Sequence, residues 1–275
     1  MPRHGVILGV CVVIALLTMH ELMRLPDGRL HADFFDVGMG NATLLTTPSG
    51  KRVLIDGGPD LSTLEGLGKR LPFFDRSIDL LVLTHAHADH IAALPEVLRR
   101  YRVQGVLWPT QSQFSPRERA MLSSIREQGI PVKVADAEED YDLGDGVLLD
   151  VLWPDRRNAA LLSDDLNDGS TILRVLYASD SLLLPGDATS KIEQYLLATG
   201  LSLDSTVLEV PHHGSKLSSS TGFLLAVSPD HAIVSVNNDN DYGLPHPMIL
   251  ERYKALGIPL ESTAKRGTIS IVSPE

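Results

Sequence analysis

From about residue 30 onward, apolar positions come in short runs separated by turn residues, and the spacing inside each run distinguishes strand from helix. Residues 31–37, 42–47 and 52–55 read as three strands. Gly38-Met39-Gly40-Asn41 and Pro48-Ser49-Gly50 supply the turns between them. Residues 78–83, Ile-Asp-Leu-Leu-Val-Leu, form a nearly continuous apolar run, the pattern of a strand covered on both faces. Residues 89–101 then take helical spacing, with Ile91, Leu94, Val97 and Leu98 on one face. In the second half, residues 106–107, 147–152, 171–176, 181–184, 206–210, 232–236 and 268–272 read as strands. Residues 115–128, 189–199, 218–227 and 248–256 read as helices, the first with Ser115 as N-cap and Pro116 in its opening turn. The acidic stretch 136–145 reads as a solvated loop. Strands followed by mixed strands and helices, twice over and without a long linker, predict two packed sheets flanked by helices in one α/β domain.

Ahead of this pattern, residues 5–19 (GVILGVCVVIALLTM) carry no charge. As a helix they span about 22 Å, short of a hydrocarbon core of roughly 30 Å. Residues 1–25 are therefore expected to be an N-terminal hydrophobic helix acting as a signal anchor or transmembrane segment, with residues 26–275 the catalytic domain. A cleaved signal or a buried helix is the alternative. Arg24 and Arg29 follow the segment, so charge asymmetry leaves its orientation open.

With 275 residues, 43% hydrophobic and 21% charged, the chain can bury one full core. The net charge of −11 argues against a non-specific nucleic-acid binder, which needs surplus Lys and Arg. It leaves a phosphodiester substrate open, because bound divalent ions add positive charge that a residue count omits. The single cysteine, Cys11, excludes an intramolecular disulfide and any zinc site built on several thiolates.

The strongest chemical feature is His85-x-His87-x-Asp89-His90, directly after the run 78–83. Four potential ligands fall within six residues. A strand end releasing into a loop can aim His85 and His87 at one ion, while Asp89 and His90, at the turn into the next helix, can serve a second nearby. Imidazole and carboxylate donors suit zinc, and also manganese or iron.

This motif resembles the signature of the metallo-β-lactamase superfamily. The resemblance implies an αββα four-layer sandwich with two divalent metal ions, Zn²⁺ or Mn²⁺, at the edge between its sheets. His85 and His87 would hold the first ion, Asp89 and His90 the second. Leu183-Leu184-Pro185-Gly186-Asp187 resembles the strand that delivers the family's bridging aspartate, here Asp187. Residues 207–215, ending Pro211-His212-His213-Gly214-Ser215, resemble the strand that delivers the last histidine of the second ion. His212 is favoured for that place, with His213 as a supporting or substrate-binding group. Asp89 and Asp187 are the catalytic carboxylates of this reading, acting with a metal-activated hydroxide. One departure stands out: no histidine occurs between residues 91 and 211, where the family supplies a third histidine to the first ion. Asp168, Asn167 or a water would fill that place, and the ion preference would shift toward harder Mn²⁺.

Further segments narrow the likeness. Phe35-Asp36-Val37-Gly38-Met39-Gly40-Asn41-Ala42, Leu54-Ile55-Asp56-Gly57-Gly58, Asn167-Asp168-Gly169-Ser170 and Tyr242-Gly243-Leu244-Pro245-His246-Pro247 occur in this order. Together with the histidine motifs they resemble the metallo-β-lactamase domain of ComEC-type DNA-internalisation proteins of bacterial competence, over residues 30–272. Leu244 and Ala264 depart from that pattern at positions where a histidine and an aspartate are common. The resemblance implies a phosphodiesterase or nuclease acting on DNA, with DNA-uptake machinery as partner. The N-terminal hydrophobic segment adds the expectation of a membrane-anchored protein whose catalytic domain is extracytoplasmic; a secreted form is the alternative. Ser215, Lys216 and residues 218–220 are candidates to bind phosphate, and His246 to approach the ions from a late loop. Asp56 is expected to brace the metal loop, and Asp36 and Asn41 to shape the rim. Two other readings stand beside the nuclease. One is a hydrolase of carbonyl or other esters (thioester, lactone, β-lactam, phosphorylcholine ester); the other is a metal-binding component without turnover.

Overall fold

The computed structural model describes residues 2–155, 157–158, 162 and 164–273. A first sheet is formed by β1 (His31–Phe34), β2 (Thr43–Thr46), β3 (Arg52–Ile55), β5 (Leu80–Val82), β7 (Val106–Trp108), β8 (Val132–Val134) and β16 (Ile269–Val272), in the order β16-β1-β2-β3-β5-β7-β8. A second sheet is formed by β9 (Asp140–Gly144), β10 (Val147–Trp153), β11 (Ile172–Tyr177), β12 (Asp180–Leu184), β13 (Val207–Glu209), β14 (His231–Val234) and β15 (Leu260–Ser262), in the order β15-β14-β13-β12-β11-β10-β9. Two short strands, β4 (Ser77–Ile78) and β6 (Arg102–Val103), pair beside them. In each sheet an antiparallel half meets a parallel half: β16-β1-β2-β3 leads into β3-β5-β7-β8, and β9-β10-β11-β12 into β12-β13-β14-β15.

Side-chain alternation along the strands assigns the layers. In β3, Val53 and Ile55 join Leu149, Val175 and Leu182 of the facing sheet in the core between the sheets. Leu54 points the other way, into a core shared with α2 (Ser62–Arg70), α4 (Leu94–Arg100) and α5 (Pro116–Glu127). In β13, Val207 enters the central core, while Leu208 meets α6 (Ser190–Thr199), α7 (Thr221–Val227) and α8 (Pro247–Ala255) on the far face. The result is helix, sheet, sheet, helix, the four-layer sandwich expected. Each fully buried Leu or Ile removed from water contributes about 1.5–3 kcal/mol, so three contiguous cores anchor the strand ends that carry the site.

Several element boundaries differ from the sequence pattern. The run 78–83 is two strands, because the Asp79 carboxylate accepts the Arg52 N–H (2.8 Å) and breaks the ladder. Residues 89–101 form α3 (Ala88–Ile91) and then α4. The His90 carbonyl accepts the Gly57 N–H (2.7 Å), and Pro95 offers no N–H to continue the first helix. Helix α2 has no strong apolar signal because Gly66 and Gly68 interrupt it; Gly66 is where the Phe35 ring packs, and a Cβ there would lie 2.8 Å from that ring. The acidic stretch 136–145 is not a continuous loop: Asp136 is buried, and residues from Asp140 form the polar edge strand β9. The Ser115 hydroxyl does cap α5, accepting the Glu118 N–H at 3.2 Å.

Residues 2–22 form α1 (Pro2–Leu22), and from Val6 onward its apolar side chains are mostly exposed. Among the described residues no helix is long and apolar enough to cross a membrane. The end of α1 is tied to the domain, where Arg24 Nη1 donates to the Leu71 carbonyl (3.3 Å) and the Phe73 N–H donates to Glu21 Oε2 (3.0 Å).

Candidate metal centre

The site gathers at the carboxyl ends of β3, β5, β12 and β13, where the two sheets meet at one edge. β3 releases Asp56, fully buried and in the left-handed region (φ 60°). Its Oδ1 accepts the Thr84 N–H (2.8 Å) and its Oδ2 the Thr84 hydroxyl (2.7 Å), which fixes the loop that β5 releases. The same Oδ2 stands 2.7 Å from His90 Nδ1. Beneath the loop, the Asn41 N–H donates to the Asp89 carbonyl (3.3 Å). Gly40 passes so close that a Cβ would come within 2.2 Å of that carbonyl oxygen.

Two donor groups form around Asp187. His85, His87 and Asp187 have ligand atoms within 4.8 Å of one another, as do Asp89, His90, Asp187 and His213. The two oxygens of Asp187 divide between them. Oδ2 lies 3.8 Å from His85 Nε2, whose ring is 3.1 Å from His87 Nδ1. Oδ1 lies 3.3 Å from His90 Nε2 and 3.7 Å from His213 Nε2, and His213 Nε2 is 3.3 Å from Asp89 Oδ2.

Ring orientation is decided on the far side of each imidazole. His90 Nδ1 is held by Asp56, and His213 Nδ1 donates to the Ser235 carbonyl (2.9 Å). The Nε2 of both rings is thereby turned toward Asp187. His90 Nε2, His213 Nε2 and Asp187 Oδ1 are all buried without a hydrogen-bond partner. Three orphaned donor atoms converging on one point are costly unless a ligand satisfies them. A divalent cation fits the set: two imidazoles and carboxylate oxygens, with partners behind the rings.

Electrostatics follow from this crowding. Burial pushes His85 well below the ordinary imidazole range, with His90 adding to the effect. Burial opposes charge on His90 too, but Asp187 and Asp56 outweigh it and hold the ring well above that range. His213 is likewise raised, by Asp187 and Asp89 against its burial. Asp187 is held well below the usual carboxylate range, because His90 and His213 overcome its burial.

His85, His87, Asp89 and His90 of the one motif thus come together, with Asp187 at the place the resemblance implied. The histidine pair differs from expectation: His213, not His212, joins the Asp89–His90 group. His212 stands across Asp187, with Nε2 3.8 Å from Oδ2. The reason is backbone, since both residues are left-handed (φ 52° and 53°) and their rings diverge. Asp168 belongs to neither donor group. Its Oδ1 accepts the Thr189 hydroxyl (2.6 Å) and its Oδ2 pairs with Lys191 (2.9 Å). Asn167 lines the cleft instead, its Oδ1 buried without a partner. His246 caps α8 by accepting the Met248 N–H (3.2 Å). Helix α7 begins at Thr221, and the N–H groups just ahead of it are not open to phosphate: the Glu193 carboxylate accepts from the Ser219 and Ser220 N–H groups. Ser215 is buried, its hydroxyl accepting the Leu217 N–H, and Lys216 is exposed outside the cleft. Asp36 is exposed and closes its own turn onto Gly38.

Glu209 is the residue that motif reading missed. It is 3% exposed beneath the centre, accepts the Thr43 hydroxyl (3.4 Å), and is raised to about 7 by burial and the nearby Asp56. A single carboxylate within the apolar strand Val207-Leu208-Glu209-Val210 was its sequence signal. Above the donors opens a cleft of about 290 Å³, lined also by Met39, Asn167, Tyr242 and Leu244.

Comparisons with known proteins agree with this architecture. A sequence model described as the metallo-beta-lactamase superfamily matches residues 35–236. The chain is 28% identical over 276 residues to ComE operon protein 3 of Bacillus subtilis, covering 94% of this chain and 34% of that protein. It is 30% identical over 260 residues to competence protein ComA of Neisseria gonorrhoeae, covering 94% of this chain and 34% of that one. The chain therefore spans about a third of the length of these curated relatives. Among solved structures, the metallo-beta-lactamase fold protein YhfI from Bacillus subtilis superposes with a TM-score of 0.56 at 10% identity, over 89% of this chain and all of that one.

Proposed function

The chain belongs to the metallo-beta-lactamase superfamily and has the fold of its metal-dependent hydrolases, and from that premise we propose that it is a two-metal phosphodiesterase acting on DNA. The observation that carries the two-metal reading is the division of Asp187, with Oδ2 toward His85 and Oδ1 toward His90 and His213. We assign His85, His87 and Asp187 to one ion, and Asp89, His90, Asp187 and His213 to the other. The preference for DNA rests on the resemblance to ComEC-type proteins drawn from the motifs above, and on a relative named as a competence protein that matches 94% of this chain.

Two divalent ions in this centre would lower the pKa of a water and offset charge developing on the substrate. The chain's own residues do the rest. Asp56 and the Ser235 carbonyl keep the Nδ1 protons of His90 and His213, so that each ring would meet an ion through Nε2 once the proton there is released. Asp89 lies at the mouth, its side chain 32% exposed, where it can take the proton released as a water attacks phosphorus. Asn167 and Tyr242 line the cleft that would receive the substrate. Residues 26–275 form the hydrolase domain in this reading. The exposed apolar surface of α1 gives the chain a means of attaching to a membrane or to an uptake complex, with the domain on the extracytoplasmic side.

Cleavage of linear single- and double-stranded DNA with Mn²⁺ or Zn²⁺, beside Asp187→Ala, tests the proposal. Metal-dependent cleavage that disappears in the variant is expected. A protein that binds two ions, leaves DNA intact and hydrolyses a thioester or lactone would replace DNA with a carbonyl substrate. Two bound ions and no turnover on any substrate class would make the chain a metal-binding component.

A further inference from the structure

The donor group of the first ion contains three protein residues, two imidazoles and the Asp187 carboxylate, and a third imidazole stands beside it. His212 Nε2 is 3.8 Å from Asp187 Oδ2, the same oxygen that lies 3.8 Å from His85 Nε2. These separations are too long for hydrogen bonds. They suit donors sharing an ion, because two atoms each about 2.1 Å from a metal stand about 3–4 Å apart. His213 Nε2 lies 3.7 Å from the other oxygen, Oδ1. We propose that His212 is the fourth protein donor of the first metal site, so that the adjacent pair His212 and His213 serves both ions, one ring to each. The inference rests on the two-metal reading above.

The backbone is built for this division. His212 (φ 52°, ψ 44°) and His213 (φ 53°, ψ 24°) are consecutive left-handed residues, a conformation that costs a non-glycine residue about 1–2 kcal/mol. Their ring centroids are 6.4 Å apart and the planes cross at 75°. The turn is held from several sides. The His212 N–H donates to the Gly186 carbonyl (3.0 Å), directly before Asp187, and the Ser215 N–H donates to the His212 carbonyl (2.8 Å). Pro245 closes over Gly214, where a Cβ would meet the Pro245 Cβ at 2.7 Å. This bracing fixes both rings against the two oxygens of one carboxylate. His212 Nδ1 is buried with no hydrogen-bond partner, and Nε2 is the ring atom presented to Asp187. The rival donors are fewer than the sequence allowed: Asp168 is committed to Thr189 and Lys191, which leaves Asn167 or a water.

Calorimetric titration of the metal-free full chain with Zn²⁺, and its Co²⁺ absorption spectrum, test the assignment. His212→Gly removes the donor and accepts the left-handed backbone. The parent is expected to bind two ions. His212→Gly should keep one at parental affinity and bind the other at least ten-fold more weakly, with a changed Co²⁺ spectrum, and added imidazole should restore the lost affinity. If His212→Gly fails to fold, His212→Asn, whose residue type tolerates the left-handed region, gives the same readout without an imidazole. Asn167→Ala should leave both affinities unchanged. Parental binding of both ions by the His212 variant, or a first site weakened by Asn167→Ala and not by the loss of His212, overturns the proposal. A parent chain that binds no second ion, or binds alike with and without Asp187, would instead sink the two-metal reading beneath it.

Discussion

Asp56 Oδ2 lies 2.7 Å from His90 Nδ1, and this contact decides which nitrogen of His90 faces Asp187. A carboxylate there accepts the Nδ1 proton and leaves the Nε2 lone pair outward; an amide nitrogen in its place would favour the opposite tautomer. Asp56→Asn is therefore expected to weaken binding of the ion shared by Asp89, His90 and His213 about 10- to 100-fold. The other ion should change far less. Zn²⁺ titration of the variant checks this, and equal weakening of both ions would contradict it.

Metal binding should release protons. In the metal-free protein His90 and His213 hold their protons beyond the ordinary imidazole range, because Asp187 outweighs their burial. Each must give one up to bind an ion. The heat of Zn²⁺ binding near pH 7, measured in buffers of different ionisation enthalpy, should report release of at least one proton per chain. Affinity should fall as the pH is lowered. A binding heat independent of buffer would contradict the charge state assigned to the pair.

Gly40→Ala should damage the centre from below. The added Cβ would lie 2.2 Å from the Asp89 carbonyl and 2.8 Å from Pro59, at a φ of 147° that side chains rarely adopt. The loop carrying Asp89 and His90 has to move or the fold has to strain. A stability loss of about 1–3 kcal/mol is expected, together with weaker metal binding. A variant with parental melting temperature and metal affinity would show that the loop yields without cost.

Much of this centre was legible because its chemistry is local. The run from His85 to His90 is six residues long, and one strand end is enough to aim it. The assignment within the His212–His213 pair was not legible, since it depends on two left-handed residues and on contacts to Gly186, Ser235 and Pro245, all distant in sequence. Asp168 misled for a related reason. Its segment does reach the cleft, but Thr189 and Lys191 hold its carboxylate and leave Asn167 facing the site. The strands with clear apolar alternation were recovered, whereas α2 was hidden by glycines and β9 by its acidic, exposed edge.

Glu209 makes the metal-free protein sensitive to pH. An unfolded chain gives up this proton near the ordinary 4.5, while burial and Asp56 make the folded chain keep it until about 7. Stability therefore falls as pH rises between those values, by about 3 kcal/mol from this group, and does not recover above them. Glu209→Gln cannot ionise, so relative to the parent it should gain about that much between pH 5 and pH 8. Denaturant midpoints of both proteins at the two pH values measure it. The same difference at both would contradict the assignment.

Turnover of bis(p-nitrophenyl) phosphate tests most directly the proposed hydrolytic centre of two ions bridged by Asp187. The protein would be assayed after metal removal, after Mn²⁺ or Zn²⁺ is restored, and beside Asp187→Asn. No turnover is expected in the stripped protein, activity should return with two ions per chain, and the variant should show none. Activity that survives metal removal, or that Asp187→Asn leaves intact, would contradict it.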